Sequence, residues 1–331
     1  MSAASLGPAT APDPQAPHLC MWNTEAFFAL RPEVAAARRQ LDHVDAAGRL
    51  VGSVVGGLAG STFTLGFSAP FGGPDLAREY EPADAVAAVV RTGLEGAAAA
   101  GAMRVEARLK PPHYGEVEAS VAFTLLTAGA TVAEANVNYF IDLDADGGYD
   151  GWRTGLRKQA RRAVTLGEGL GVETSVVPND DEATWAEAYR VLEQNRVSKG
   201  RPMRLSLDYV RSVRDAFPAC VRMVVVRHGA QVCAAALLYR VLPGRDVVQY
   251  WGDAHDLEAS PMGVLVDAVV EHVAATGGRT IDIGISTDHG APNLGLMQFK
   301  RSFGARAENR LEVVGDLAEL LGAPAWGSLL G

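Results

Sequence analysis

Lys300 is the residue whose place in the sequence most directly indicates chemistry. Leu296, Phe299 and Phe303 fall at i, i+3 and i+7 of a predicted helix and form one apolar face. Lys300 lies on the same face, one turn after Leu296. Because buried charge is costly unless it is paired or used, two interpretations stand. Either this cation is directed into a functional site, or its stem covers apolar surface while its ammonium group reaches water.

Two carboxylates could take part in the same chemistry. Asp282 lies in a predicted strand, Thr280 to Ile285, and Asp253 ends the strand that begins at Asp246. A carboxylate at either position can accept a proton from a reacting group or hold a substrate. For Asp282, pairing with an arginine of the folded protein is an equal alternative.

The elements that must position Lys300 follow directly from the pattern around it. Residues 280–285 alternate between apolar and polar, which predicts a strand. Asp, Gly, Pro and Asn residues between 288 and 293 end the alternation and predict a loop. Asn293 suits the N-cap of the helix that carries Lys300, and Gly304 suits its end.

Basic side chains are concentrated on another predicted helix, residues 152–166. No acid lies between Gly151 and Gly167, and one side of the helix carries Arg153, Arg157, Lys158, Arg161 and Arg162. A charge run is usually a solvated face, but five cations without an acid also suit phosphate groups. A basic loop at 196–204 adds further cations.

Composition is that of a globular protein and excludes several classes. The 331 residues are 48% hydrophobic and 21% charged, which allows about two domains. No run approaches the ~18 apolar residues of a membrane helix. The net charge of −9 disfavours nucleic-acid binding by the surface as a whole.

Cysteine and histidine placement indicates neither a metal site nor a disulfide framework. Cys20, Cys220 and Cys233 are scattered, and the histidines make no HxxxH or HExxH spacing. We therefore expect reduced thiols, a cytoplasmic location and no metal. The sequence shows no Ser-His-Asp set, GxSxG motif or P-loop, and His255 is a candidate base.

The order of predicted elements is repeated in two parts of the chain. Residues 1–17, rich in Ala and Pro, predict a disordered tail. Residues 18–145 predict two strands, a loop, then helix, strand, helix and strand, and residues 151–331 repeat this order after one additional strand. The segment 144–150 is the linker candidate. The sequence thus predicts two copies of one α/β (α+β) fold, each with a central sheet flanked by helices.

Motifs of the second part resemble those of the Fem-type tandem acyltransferases (FemAB-like) of the GNAT superfamily. The matching segments are 249–252 (QYWG), Ser260-Pro261, 282–287 (DIGIST), Asn293, 295–296 (GL), 299–300 (FK) and 303–306 (FGAR). Residues 68–73 and 111–114 resemble a degenerate partner domain. The resemblance implies two tandem GNAT-like domains, each with a mixed central sheet. The domain at 151–331 would carry the active site, in the notch where two central strands splay, and the domain at 18–145 would be degenerate.

The resemblance implies transfer of an acyl or aminoacyl group onto an amine of a small molecule or peptide. The candidate donors are acyl-coenzyme A, a thioester, and aminoacyl-tRNA, an ester, so tRNA is a candidate partner. No tightly bound cofactor is expected. The segment 258–263 departs from the usual [QR]-x-x-G-x-[GA] pattern, and Pro261 removes one backbone N–H that a phosphate cradle would use.

Site residues also follow from the resemblance. Phe299 and Lys300 match the Phe-Lys pair at the acyl-transfer centre, where a lysine can stabilise the oxyanion that forms when an amine attacks a carbonyl. Asp282 and Asp253 complete the catalytic candidates. The substrate-binding candidates are Phe299, Tyr250, Trp251, Ser286, Thr287 and Asn293, whose types are also those of core, turn and cap residues. The candidates for the donor phosphates are Arg153, Arg157, Lys158, Arg161, Arg162, Ser260 and Gly263.

A non-catalytic GNAT-like binding module in a biosynthetic complex is the alternative function. The atypical segment 258–263 is what a decayed enzyme would show. Binding of an acyl donor would separate the two hypotheses.

Overall fold

The computed structural model describes residues 11–78, 81–254, 257–288 and 290–331, so residues 1–10 and His255 lie outside it. Of the predicted tail, residues 11–17 form turns, and Ala16 packs against a small apolar cluster that contains Leu19 and Phe28. Within the described ranges, every helix is too short or too polar to cross a membrane.

The strands, in chain order, are β1 (Arg38–Val44), β2 (Leu50–Ala59), β3 (Thr62–Leu65), β4 (Pro74–Leu76), β5 (Arg104–Arg108), β6 (Thr131–Asp142), β7 (Val172–Val176), β8 (Val221–His228), β9 (Gln231–Leu242), β10 (Arg245–Asp253), β11 (Thr280–Ile285), β12 (Thr287–Asp288), β13 (Ala291–Pro292) and β14 (Arg306–Asp316).

The α-helices are α1 (Glu25–Ala29), α2 (Pro32–Ala37), α3 (Ala83–Ala99), α4 (Val117–Thr127), α5 (Leu143–Asp146), α6 (Gly148–Gly155), α7 (Lys158–Glu168), α8 (Glu182–Ser198), α9 (Leu207–Ala216), α10 (Met262–Ala275), α11 (Leu294–Ser302), α12 (Leu317–Leu321) and α13 (Trp326–Leu329). Short 3-10 turns lie at Met21–Asn23 and Pro112–Tyr114.

The chain divides into two compact units that are discontinuous in sequence. The first unit holds Pro12–Asn138, Ile285–Pro292 and Ala307–Gly331, and the second holds Tyr139–Gly284 and Asn293–Arg306. The predicted domain at 151–331 therefore differs from the second unit, because residues 285–292 and 307–331 group with the first. The boundary between 145 and 151 stays a prediction.

The first unit is a mixed sheet with strand order β1-β2-β3-β5-β14-β6, and β4 pairs with β2. β1, β2 and β3 pair antiparallel, and β3 then pairs parallel with β5 through the crossover helix α3. Ala, Val and Leu residues of α3 and α4 fill the core against the sheet because their apolar positions recur at helical spacing.

The second unit repeats this series. Its sheet runs β11-β10-β9-β8-β7. β7 to β10 pair antiparallel, and β10 pairs parallel with β11 through the crossover helix α10. Along the chain, a further helix and strand follow each series: α4 and β6 come after β5, and α11 and β14 come after β11, although β14 lies in the sheet of the first unit. This repetition confirms the predicted fold class of two mixed-sheet α/β units.

One local prediction is wrong. The predicted helix 152–166 is broken, because Leu156 and Arg157 adopt extended conformations (ψ 138° and 154°) between α6 and α7. The linker candidate 144–150 overlaps α5 and α6, and its role as a linker stays a prediction.

Candidate active site

The second unit contains a notch between its two parallel strands. Among the described residues, the pairing of β10 with β11 joins Arg245–Val247 to Thr280–Asp282 and then stops, although β10 continues to Asp253. β11 loses its extended course at Gly284, whose φ of +77° is left-handed and favours glycine. Asp282 stabilises this bend because its Oδ1 accepts a hydrogen bond from the Gly284 amide at 2.7 Å.

Lys300 reaches this bend from α11. Its Nζ donates a 2.8 Å hydrogen bond to the Gly284 carbonyl oxygen and lies 5.7 Å from the centroid of the Tyr139 ring. Lys300 is only 2% exposed, so the interpretation that its ammonium group reaches water is wrong. An ammonium group held at the divergence of two strands can stabilise a developing negative charge there.

The ends of α11 are fixed as the sequence predicts. Asn293 is the N-cap, since its Oδ1 accepts from the Leu296 amide at 3.0 Å. Gly304 ends the helix with a φ of +80°, and the Trp152 indole Nε1 donates to the Phe303 carbonyl at 2.8 Å. These contacts set the position of α11 and therefore of Lys300.

A cavity of about 290 Å³ lies among α7, α11 and the first turn of α10. The residues that line it are Gln159, Ala160, Ala163, Ser260, Met262, Gly263, Gly295, Gln298, Phe299, Ser302 and Phe303. Trp251 of β10 meets Phe299 edge to face, with ring centroids 5.9 Å apart. The cavity wall at Phe299 is therefore directly next to the free end of β10.

α7 packs directly onto the first turn of α10. A Cβ atom on Gly263 would lie 2.6 Å from the backbone carbon of Ala163, so only glycine fits there. The Ser260 hydroxyl accepts from the Met262 amide at 3.3 Å and donates to Asp253 Oδ2 at 2.7 Å. The Met262 amide at the N-terminus of α10 is thus already hydrogen-bonded within the protein.

Asp253 and Asp282 are both buried, but the structure does not bring them together. Val247 lies opposite Asp282, and Asp253 lies six residues further along β10, or about 20 Å. Asp253 accepts from Asn195 Nδ2 at 3.1 Å and from Ser260. Asp282 positions Gly284, and Asp253 positions Ser260. The catalytic roles predicted for both aspartates stay predictions.

The cations proposed for donor phosphates fall into two groups. Arg153 is held by Asp267 and by Glu168, the latter at 2.8 Å, and its pKa is raised first by its hydrogen bond with Tyr149. Arg157, Lys158, Arg161 and Arg162 are exposed and have no ion-pair partner among the described side chains. Those four cover the outer side of α7, whose inner side lines the cavity.

Of the substrate-binding candidates, Phe299 and Trp251 lie together at the cavity wall, and Tyr250 is half-buried on the same strand. Asn293 is exposed and serves as the helix cap. Ser286 and Thr287 belong to the first unit, where the Ser286 amide donates to the Val137 carbonyl and the Thr287 hydroxyl donates to Asn136. Their predicted binding roles stay predictions.

Several lining residues were not predicted from the sequence. Gln159, Met262, Gln298 and Ser302 carry no motif of their own. Gly167 of α7 and Gly263 of α10 could have indicated this part of the site, because they lie where the two helices cross closely.

Residues 152–301 match the family model described as an acetyltransferase (GNAT) domain. The match assigns a GNAT-type domain to that segment, which is slightly less than half of the chain. The fold of the chain is similar to that of FemX (12% identity, TM-score 0.62, covering 84% of this chain and 87% of that one). It is also similar to L-PGS from Bacillus licheniformis (12% identity, TM-score 0.57, covering 95% and 96%). The Fem-type resemblance is thus confirmed as a fold. No curated protein matches the chain by sequence.

Proposed function

We propose that the second unit transfers an acyl or aminoacyl group to an amine in the notch between β10 and β11. The observation that carries this proposal is the buried Lys300, whose ammonium group lies at the point where the strands part, on a helix that also lines a cavity large enough for the end of a donor. An ammonium group in a dry site stabilises an oxyanion more strongly than water does.

In the proposed reaction the amine nitrogen attacks the carbonyl carbon of the donor. The carbonyl oxygen becomes an oxyanion, which Lys300 stabilises. Collapse of the intermediate forms the amide and breaks the bond to the leaving sulfur or oxygen, and the proton lost by the amine appears on the leaving thiol or hydroxyl group. Asp282 supports the reaction indirectly, because it accepts a hydrogen bond from the amide of Gly284, the residue whose carbonyl accepts from Lys300.

The exposed side of α7 is the proposed contact for the donor phosphates. Arg157, Lys158, Arg161 and Arg162 are available there, whereas Arg153 is bound to two carboxylates. The close contact at Gly263 and the proline at 261 favour aminoacyl-tRNA, since a coenzyme A pyrophosphate uses free N–H groups at a helix start. Acyl-coenzyme A is the second candidate because the cavity adjoins that same helix turn.

Gly295→Trp tests the proposed donor site. Apart from its own helix backbone and chain neighbours, the only described atom that a Cβ on Gly295 approaches within 4 Å is Asn293 Oδ1, at 3.8 Å. The backbone therefore accommodates a side chain there, and an indole would fill the cavity. We expect the dissociation constant of the donor to rise at least tenfold with an unchanged melting temperature. Acetyl-coenzyme A and an aminoacyl-tRNA are both titrated.

Gly327→Trp is the matched control, because a Cβ on Gly327 of the first unit meets no described atom within 4 Å beyond its own helix backbone and chain neighbours. It should bind donors as the wild type does. Turnover of either donor by Gly295→Trp at the wild-type rate and affinity would contradict the placement of the donor in this cavity.

A further inference from the structure

The free end of β10 presents different chemistry on its two faces. Trp251 points to Phe299 and the donor cavity. Its neighbour Tyr250 points the other way, because successive strand residues face opposite sides of a sheet. The Arg196 guanidinium carbon lies 4.9 Å from the centroid of the Tyr250 ring. A Cβ on Gly252 would meet Asn195, so this second face is the one that α8 covers.

The loop after α8 folds back over Arg196. Gly200 has a φ of +68°, the Arg201 amide donates to the Arg196 carbonyl at 2.9 Å, and the Gly200 amide donates to the Val197 carbonyl at 2.9 Å. This is a Schellman helix end, which reverses the chain. Arg196 Nε also donates to the Pro202 carbonyl at 3.1 Å. The basic loop is therefore held against the end of α8.

Like charges are gathered in this loop. From Gln194 to Leu207 the sequence has four cations and no acid. Burial lowers the pKa of Arg196, and the nearby Arg201 and Arg204 lower it further against the opposing effect of Tyr250. Arg201 and Arg204 thus disfavour the charged form of Arg196, and an anion bound beside Arg196 would favour it.

Lys199 and Arg204 differ in whether their charged group is already bound within the protein. Lys199 donates to Asn195 Oδ1 at 2.8 Å, and Asn195 donates to the Asp253 carbonyl, so Lys199 is part of the internal network. Arg204 is exposed and has no ion-pair partner among the described side chains. Guanidinium groups bind carboxylate and phosphoryl groups through paired hydrogen bonds.

We propose that Arg196, Arg201 and Arg204, together with the ring of Tyr250, bind a carboxylate or phosphoryl group of the amine acceptor. This inference rests on the proposed acyl transfer. The donor cavity and the α7 cations lie on the Trp251 face of β10, whereas this site lies on the Tyr250 face. Donor and acceptor would then approach the notch from opposite sides of the sheet, and the acceptor would be an amine that also carries an anionic group.

Matched pairs of acceptors test the charge requirement. Glycine is compared with glycinamide, and glucosamine 6-phosphate with glucosamine, with the donor that the wild type turns over. We expect the anionic member of at least one pair to have a tenfold or greater advantage in kcat/KM. The glycine pair tests whether the site binds a carboxylate, and the glucosamine pair tests whether it binds a phosphoryl group.

Arg204→Gln should remove this advantage by raising KM for the anionic acceptor at least tenfold, with kcat and the use of the neutral acceptor unchanged. Arg190→Gln is the matched control, because Arg190 is an exposed arginine on α8 outside the loop. Equal use of both members of each pair by the wild type, or no effect of Arg204→Gln, overturns the proposal.

A binding measurement keeps this inference separate from the proposed function. N-acetylglycine, N-acetylglycinamide and inorganic phosphate are titrated by calorimetry into the wild type and Arg204→Gln. Binding of an anionic probe that is lost in the variant, without acyl transfer by either protein, supports the anion site while the proposed function fails. Failure of all anionic probes to bind, or a flatter salt dependence of tRNA binding in Arg204→Gln, would overturn the acceptor assignment.

Discussion

Replacement of Lys300 by methionine is the most direct test of the chemistry. Methionine keeps most of the length and the apolar stem of lysine but lacks the ammonium group. In the native protein Lys300 is 2% exposed, and its ammonium group donates a hydrogen bond to the Gly284 carbonyl oxygen at 2.8 Å. The substitution therefore removes one buried donor without opening a large cavity.

The expected changes in stability and in rate differ in size. A carbonyl left without its donor costs about 1–3 kcal/mol, and removal of a buried charge returns a comparable amount because its desolvation is avoided. We expect a net change within about 2 kcal/mol, or a melting temperature within about 6 °C of the wild type. Loss of one oxyanion donor lowers kcat about 10²–10³-fold, equal to about 2.7–4 kcal/mol in the barrier.

The assay follows release of the leaving group at saturating donor, together with thermal unfolding and donor binding. Because the interaction acts in the transition state, kcat should fall while the dissociation constant of the donor stays within threefold. Turnover per folded molecule within threefold of the wild type would refute the oxyanion role. The oxyanion role would also be refuted if Lys300→Met were largely unfolded but its remaining folded molecules were as active as the wild type.

Lys110→Met is the contrasting variant. Lys110, 5% exposed, donates to Asp75 at 2.8 Å and lies 2.9 Å from Glu118, and both carboxylates are buried. Removal of this lysine leaves two buried acids without their cation, which should cost about 3–5 kcal/mol of stability. Activity per folded molecule should be retained, which is the opposite of the result expected for Lys300→Met.

The remaining predictions concern the donor and the pH dependence of stability. If tRNA is the donor, replacing Arg157, Lys158 and Arg161 by Ala should flatten the slope of log affinity on log salt by about two to three units. Donor binding that responds neither to salt nor to these substitutions would rule out RNA on α7. Burial raises the pKa of Glu118 to about 7, with Lys110 opposing the shift. Between these two pKa values the folded state keeps a proton that the unfolded state has lost. The contribution of Glu118 to the free energy of unfolding is therefore fully present below about pH 4.5. It falls by up to about 3 kcal/mol as the pH rises through about 7. Denaturant titrations from pH 4.5 to 8 should show this decline in the wild type and a smaller one in Glu118→Gln, and identical profiles would contradict the assignment.

Elements with a strong apolar period were predictable from the sequence. The stretch 280–306 folds into β11 and α11, with Asn293 as cap and Gly304 as stop. Lys300 was identifiable because a charge on an apolar helix face requires an explanation. Its hydrogen bond to Gly284 was not predictable, since the left-handed bend at that glycine depends on the Asp282 side chain.

Elements at sheet edges were missed for a physical reason. β1 and β7 lie at the ends of the two strand orders, and most of their residues are exposed or half-exposed. An edge strand that buries little apolar surface has little alternation to detect. The pairing of β14 with β5 could not be predicted from local patterns either, because it joins residues 312–316 to residues 104–108.

The two units share a topology but differ at the point where the second unit opens its notch. In the first unit the chain after β3 returns to β5: the Gly72 amide donates to the Arg108 carbonyl at 2.8 Å, and the Lys110 amide donates to the Gly72 carbonyl at 3.1 Å. Phe71, 1% exposed, packs between Trp22 and Tyr114 beside this pairing. β10 has no such continuation onto β11 within the described residues, because their pairing ends at Val247 and Asp282. A parallel strand pair that is extended by hydrogen bonds cannot admit a donor, whereas one that parts can. This difference is the reason why we place the proposed acyl transfer in the second unit and not in the first.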